Sequence, residues 1–166
     1  MASLEKKQRH EIRRKMRRVE EYPIPLRWYI VDDGDQLDHE IDEFFTLMVY
    51  DPAKRKFLTP AMQVQMRKTM HLAFREGWLQ MAFVEIGREK AAAYVNFDYQ
   101  DDIWVYNSGF NPRYWELSLG WVLLAYLIDW AIAHKRSRYD FMRGEEDYKY
   151  RFGGVDRRVI RAILRR

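Results

Sequence analysis

Cysteine is absent from all 166 residues, which excludes disulfides, thiolate zinc sites and a cysteine nucleophile, and is compatible with a reducing compartment. No long apolar run is present either. The longest, residues 121–133, is shorter than a membrane span and contains Asp129, so it reads as a buried helix rather than a transmembrane one. Met1 leads into charged sequence with no apolar signal-peptide core, and a cytoplasmic protein is expected. Also missing are a Walker loop, a dinucleotide glycine fingerprint and a G-x-S-x-G elbow, which removes the usual signatures of nucleotide and serine hydrolysis. Asp32, Asp33 and Asp35 lack the later glycine and closing glutamate of a calcium loop. His39, Glu40 and Glu43 lack the second histidine of a zinc-protease helix. No metal is assigned.

What is present suits one globular domain. Hydrophobic residues make up 48% and aromatics 16%, too rich for a disordered chain, and the length suffices for a real core. The net charge of +4 is unevenly spread. Lys6, Lys7, Arg9, Arg13, Arg14, Lys15, Arg17 and Arg18 crowd one end, and Arg157, Arg158, Arg161, Arg165 and Arg166 the other, so a basic end can meet an anionic cofactor, nucleic acid or lipid headgroups.

Residues 4–21 place Leu4, Ile12, Met16 and Val19 on one helical stripe, giving an amphipathic basic helix over residues 1–21 that Pro23 and Pro25 end. Residues 22–166 form the body. A strand is predicted at 26–31, a helix carrying Leu37, Ile41, Phe44, Phe45 and Met48, and a third helix from Thr59 and Pro60 to Gly77. Strands follow at 78–86, 91–99 and 103–108, then an apolar helix opening at residues 118–120. A strand at 138–142, a short helix at 145–150 and a final strand at 159–164 complete an α/β order.

Two segments carry chemistry. Residues 106–121 bring a strand end, a loop and a helix start at Ser118 and Gly120, where unsatisfied amides can bind an anion. Residues 139–153 crowd ionisable, aromatic and glycine residues behind the apolar helix, the mixture of a site that holds a ligand and moves a proton.

The segments RHEIRRKMRRVEE, SGFNPRYWELSLGWVLL and YDFMRGEEDYKYRFGG resemble the GNAT-like acyltransferases of the CelD (cellulose-biosynthesis) type, related to the FemAB aminoacyl transferases. The resemblance implies a GNAT fold, a mixed twisted sheet flanked by helices, for residues 22–166. It implies acetyl-CoA or another acyl-CoA as co-substrate, entering where two central strands splay apart. Carried over, it sets the CoA pyrophosphate against Leu117, Ser118, Leu119, Gly120 and Trp121, with Arg143 adding charge. The single glycine in ELSLGW departs from the family's glycine-spaced loop and implies fewer or differently placed phosphate contacts. Lys149 matches a lysine used near phosphate or the reacting carbonyl, against the plainer reading of a surface ion pair with Glu145.

Acyl transfer to an amine needs a base, an oxyanion stabiliser and an acid. Asp140, Glu145 and Glu146 are the candidate bases, on the expectation that burial raises a carboxylate's pKa. Tyr148 is the candidate acid, and the backbone of Tyr106, Asn107 and Ser108 the carbonyl's partner. Relatives of this type are longer, with two GNAT-like halves, so a homodimer or a separate partner is expected to stand in for an N-terminal half. Two further readings stay open. One is a FemAB-like transferase or binding module for RNA, with Arg9, Arg13, Arg14, Arg17 and Arg18 on phosphates; the other is a GNAT-fold scaffold without catalysis.

Overall fold

A computed structural model describes residues 6–163. Helix α1, Lys6–Glu20, buries Ile12 and Val19, seven residues apart and so on one face. Leu4, expected on the same stripe, lies outside the described residues. Past the two prolines comes β1, Leu26–Ile30. Helix α2, Leu37–Met48, buries the expected Leu37, Ile41, Phe44, Phe45 and Met48.

A short helix that periodicity does not announce follows: α3, Pro52–Phe57. Asp51 caps it by accepting from the amides of Ala53 (2.8 Å) and Lys54 (3.2 Å), and Pro52 occupies its first turn. In α4, Pro60–Arg75, the Thr59 hydroxyl caps the Met62 amide, and Met66, Met70 and Ala73 are buried. Gly77, at φ +73°, supplies the left-handed residue just past the helix end.

Strands β2 (Leu79–Ile86), β3 (Glu89–Tyr99) and β4 (Asp102–Phe110) form a meander. Its second turn puts both Gln100 and Asp101 at positive φ, the conformation of a two-residue hairpin turn whose twist matches the strands. A 3-10 stretch, Pro112–Leu117, leads into α5, Leu119–Ala133. Then come β5, Arg138–Asp140, and α6, Asp147–Arg151.

The sheet order is β1-β2-β3-β4-β5, antiparallel except for the parallel β4–β5 pair. Each face carries its own core. One joins Val19 of α1 and Leu123, Leu124 and Leu127 of α5 to Ala82, Val84 and Tyr94. The other joins α2 and α4 to Met81, Phe83, Ala93 and Val95. Helices on both faces of a mixed sheet are the expected α/β GNAT architecture.

Two strand expectations differ from the structure. The strand at 138–142 stops at Asp140, because the Asp140 carboxylate accepts from the Met142 amide (2.7 Å) and Met142 takes φ +56°. The final strand at 159–164 is not formed among the described residues; Val159 and Ile160 are 98% and 87% exposed, and Leu164 lies outside them. Residues 159–163 pair with no strand of the sheet and lie exposed, and alternation alone cannot make a strand.

Candidate functional site

Strand β4 runs on where β5 stops. Their pairing is limited to Asp102, Ile103 and Trp104 against Arg138, Tyr139 and Asp140, so β4 from Val105 onward has no neighbour on that side. Val95 pairs with Asn107 but Asn96 with Val105, which makes Tyr106 the extra residue of a β-bulge at the mouth of the gap. The Asn111 amide donates to the Ala91 carbonyl (2.9 Å). By antiparallel alternation, Ser108 and Phe110 therefore turn their backbone groups away from β3 and into the gap. Side chains confirm this at Ser108: its amide donates to Asn107 Oδ1 (2.8 Å) and its carbonyl accepts from Lys54 Nζ (2.6 Å).

At the end of β4, Glu89 fastens the connection to α5. It accepts from Asn111 Nδ2 (2.9 Å), from Arg113 (3.0 Å) and from the Tyr114 hydroxyl (2.6 Å). That last bond raises the pKa of the Tyr114 phenol. The connection delivers Ser118 in the left-handed conformation (φ 53°, ψ 44°) as the residue before α5. Its side chain makes no capping bond; its hydroxyl instead accepts from Lys15 Nζ (2.8 Å) of α1.

The amides of Leu119 and Gly120 open α5, where no intrahelical acceptor exists. Lys15 also lies 4.9 Å over the Trp121 ring, Arg151 lies 5.9 Å from the same ring, and Arg18 donates to the Glu116 carbonyl (2.7 Å). Cations from two distant parts of the chain thus gather at the positive end of a helix dipole, a place suited to an anion. Leu117 and Leu119 are buried and anchor the turn. At Gly120 a side chain would come within 2.7 Å of the Phe110 ring, so the glycine lets this aromatic pack onto the helix start. The space above its Cα is taken by that ring, which leaves the helix-start amides as the anion's partners.

The opposite wall is β5 and the loop to α6. Tyr139, Phe141 and Tyr148 pack in sequence, with ring centroids 5.5 and 6.1 Å apart, and Asn96 Nδ2 reaches the Tyr139 hydroxyl at 3.4 Å. Burial, with the Glu146 carboxylate adding to it, pushes the Tyr148 phenol up to about 12. Lys149 is only 6% exposed. It donates to the carbonyls of Arg143 (2.9 Å) and Gly144 (3.2 Å) and pairs with Glu146 at 2.7 Å, so its charge holds the loop together. The ion pair thus runs to Glu146, not Glu145. Lys149 holds the Glu146 carboxyl below its ordinary value, opposite to the rise expected from burial. Arg143 and Glu145 are exposed, and one Asp140 oxygen is taken by the Met142 amide.

The fold therefore brings residues 106–108, 117–121 and 139–149 around one gap. It adds two lysines that the two motifs do not contain. Lys15 stands 103 positions from its partner Ser118, a separation without any local signal. Lys54 sits on α3, whose Asp51-Pro52 start was the readable sign. Among the described residues no group of His, Cys, Asp and Glu would hold a metal ion, and no helix is long and apolar enough to cross a membrane.

The chain is similar in fold to the crystal structure of a possible acetyltransferase from Clostridium difficile 630, with a TM-score of 0.60 and 11% identity over 85% of this chain and 99% of that one. A search of the curated proteins returns no match. The family model for the acetyltransferase (GNAT) domain matches residues 6–150. A bulged strand whose outer edge is left open, ending at the anion-suited start of a helix, is thus the centre of a chain that belongs to the GNAT acetyltransferase family.

Proposed function

We propose that the protein is an N-acetyltransferase that moves the acyl group of acetyl-CoA to a small primary amine in the gap between β4 and β5. The observation that carries this reading is the open outer edge of β4, where the Phe110 backbone faces the gap and the Ser108 backbone is held only by side chains, leading to the Leu119 and Gly120 amides beside Lys15. An extended amide chain ending in phosphates is matched by this arrangement: backbone partners along β4, then helix amides and a lysine for the charge. We assign the pyrophosphate to the amides of Leu119 and Gly120, with Trp121, Ser118, Leu117 and the exposed Arg143 at its border. Within the family, YDFMRGEEDYKYRFGG supports the CelD-type branch. The reading also makes the protein a cytoplasmic enzyme beside the acyl-CoA pool, with a homodimer as the form to test first.

Acetyl-CoA, when bound, supplies a thioester carbonyl already activated for attack. The backbone at the Tyr106 bulge and at Asn107 is assigned to orient that carbonyl. Glu146, held ionised, attracts an ammonium rather than stripping it; Glu145, exposed at the mouth, relays the amine's proton to water, and Asp140 sets the turn that leads the chain toward both. Lys149 positions Glu146 and the loop. Tyr148, kept protonated by its raised pKa, donates a hydrogen bond to the departing sulfur. Replacing Tyr148 by phenylalanine is expected to lower kcat about 100- to 1,000-fold, the loss of one such donor, while the Kd for acetyl-CoA stays unchanged. An unchanged kcat removes Tyr148 from the chemistry.

Calorimetric titration with acetyl-CoA tests the reading itself. Saturable binding is expected, and Lys15→Ala should weaken it roughly tenfold, equivalent to about 1.4 kcal/mol, by removing one charge-assisted contact. Absence of binding to the folded protein overturns the proposal. The RNA reading is less favoured because, of its arginines, Arg18 is turned onto the Glu116 carbonyl and Arg14 is paired with Glu11; steep salt dependence of RNA binding would restore it.

A further inference from the structure

Lys54 is an amine at the gap that the proposed chemistry leaves unused. Helix α3 carries it past the end of β4, and its Nζ lies 2.6 Å from the Ser108 carbonyl and 3.1 Å from the Ser108 hydroxyl. The Ser108 carbonyl is one of the outward groups of the open β4 edge, so the amine stands inside the gap. Among the described residues it makes no ion pair; its charged neighbours, Asp51 and Glu146, act on it only at longer range. The Phe110 ring, 5.9 Å away, forms an apolar side to this position. Burial pushes the Lys54 amine below its ordinary value, against the pull of those two carboxylates. A primary amine, half-buried, held by a neutral carbonyl and open to partial neutralisation, is what the proposed reaction takes as its acceptor.

We propose that Lys54 is a self-acylation site: the protein transfers an acyl group from acyl-CoA to the Nζ of its own Lys54. This inference rests on the acyl-CoA reading of the gap. The Lys54 ammonium first releases one proton to water. The neutral amine then attacks the thioester carbonyl; an N–C bond forms, the C–S bond breaks, and a second N–H proton goes to the departing thiolate. The products are an N-acyl-lysine and the free CoA thiol. Acylation removes the positive charge at the gap and replaces a three-donor ammonium with one amide N–H, freeing acceptors on Ser108 for another amine. The modified protein then differs from the unmodified one in the charge it presents to an acceptor, with Glu146 left as the facing group.

Incubating the full-length protein with acetyl-CoA, followed by peptide mass mapping at timed intervals, tests this. Lys54 is expected to gain one acetyl group at least about tenfold faster than its exposed neighbour Lys56, because the site holds the amine against the thioester. Unfolding the protein in urea should abolish the difference. Lys54→Arg, which keeps a cationic donor, should melt like the parent and show no modification at position 54. Equal rates at Lys54 and Lys56, or selectivity that survives unfolding, overturn the proposal. Calorimetry on the same preparation separates the two levels: acetyl-CoA binding without Lys54 acetylation sinks self-acylation alone, whereas no binding sinks the acyl-CoA reading and this inference with it.

Discussion

Replacing Gly109 by valine is expected to lower the protein's stability by about 3 kcal/mol or more, visible as a fall of roughly 6–12 °C in Tm by circular dichroism. Gly109 is buried in β4, directly under the last turn of α2. A Cβ there would stand 2.7 Å from the Leu47 carbonyl carbon and Cβ, and 2.8 Å from the Met48 nitrogen. Two of these three atoms belong to helical backbone, which cannot rotate away as a side-chain tip can. Overpacking by a single methylene costs about 1–3 kcal/mol, and valine adds three carbons in a place without room for one. The backbone conformation needs no glycine, so the cost is one of space alone. Because α3 follows α2 directly, a displaced α2 also draws Lys54 from the β4 edge. Ser108→Ala next door, which only shortens a side chain, is the control and should melt within a few degrees of the parent. A Gly109→Val protein that melts with it refutes the close packing of α2 on β4.

Alkali should unfold the protein cooperatively above about pH 10, and the cause lies in its buried phenols. Burial raises the pKa of Tyr94, Tyr139, Tyr148 and Tyr29 above the ordinary 10.0, with Glu40 adding to the rise at Tyr29. In the unfolded chain these phenols ionise near 10; in the folded one they keep their protons. Below pH 10 both states are protonated and the full stability is present. Above it the unfolded state gains by releasing protons, and stability falls until the folded phenols ionise as well. Tyr148, pushed up to about 12, contributes at most about 2 kcal/mol once its partial exposure is discounted. Tyr94, 3% exposed, is less screened and adds to it. Against a typical domain stability of about 5–15 kcal/mol, several such phenols suffice. Phenolate absorbance and far-ultraviolet circular dichroism should change together over the same pH interval. Phenols that all ionise near pH 10 while the helical signal persists would contradict the buried cluster.

The long elements were legible because their patterns are local. Leu37, Ile41, Phe44, Phe45 and Met48 on α2, and Met66, Met70 and Ala73 on α4, follow a helical period that leaves little choice of inward face. Helix α3 escaped because PAKRKF carries no apolar stripe, although its cap and proline stood in plain view. The tail misled for the opposite reason: Val159 and Ile160 look like strand residues, but they pair with no strand and stay exposed. At the site, the two motifs could be seen to be special, while the partners of their side chains could not. Whether Lys149 meets a phosphate or its own loop depends on how the chain turns at Gly144, which has φ +115°. That Gly120 faces Phe110 depends on the angle at which α5 leaves β4.

The strand order also governs the sequence of assembly. Strands β2, β3 and β4 are joined by the tight turns at Gly87 and at Gln100–Asp101, so they zip with little loss of chain entropy. Strand β5 docks only after the whole of α5 has crossed the sheet, and then through three residues. With three residue pairs the β4–β5 seam is the shortest in the sheet, and it is expected to be the first to open as the protein breathes. Amide hydrogens on β5 should exchange well before those of β3, and the cleft owes its access to the weakest seam in the sheet.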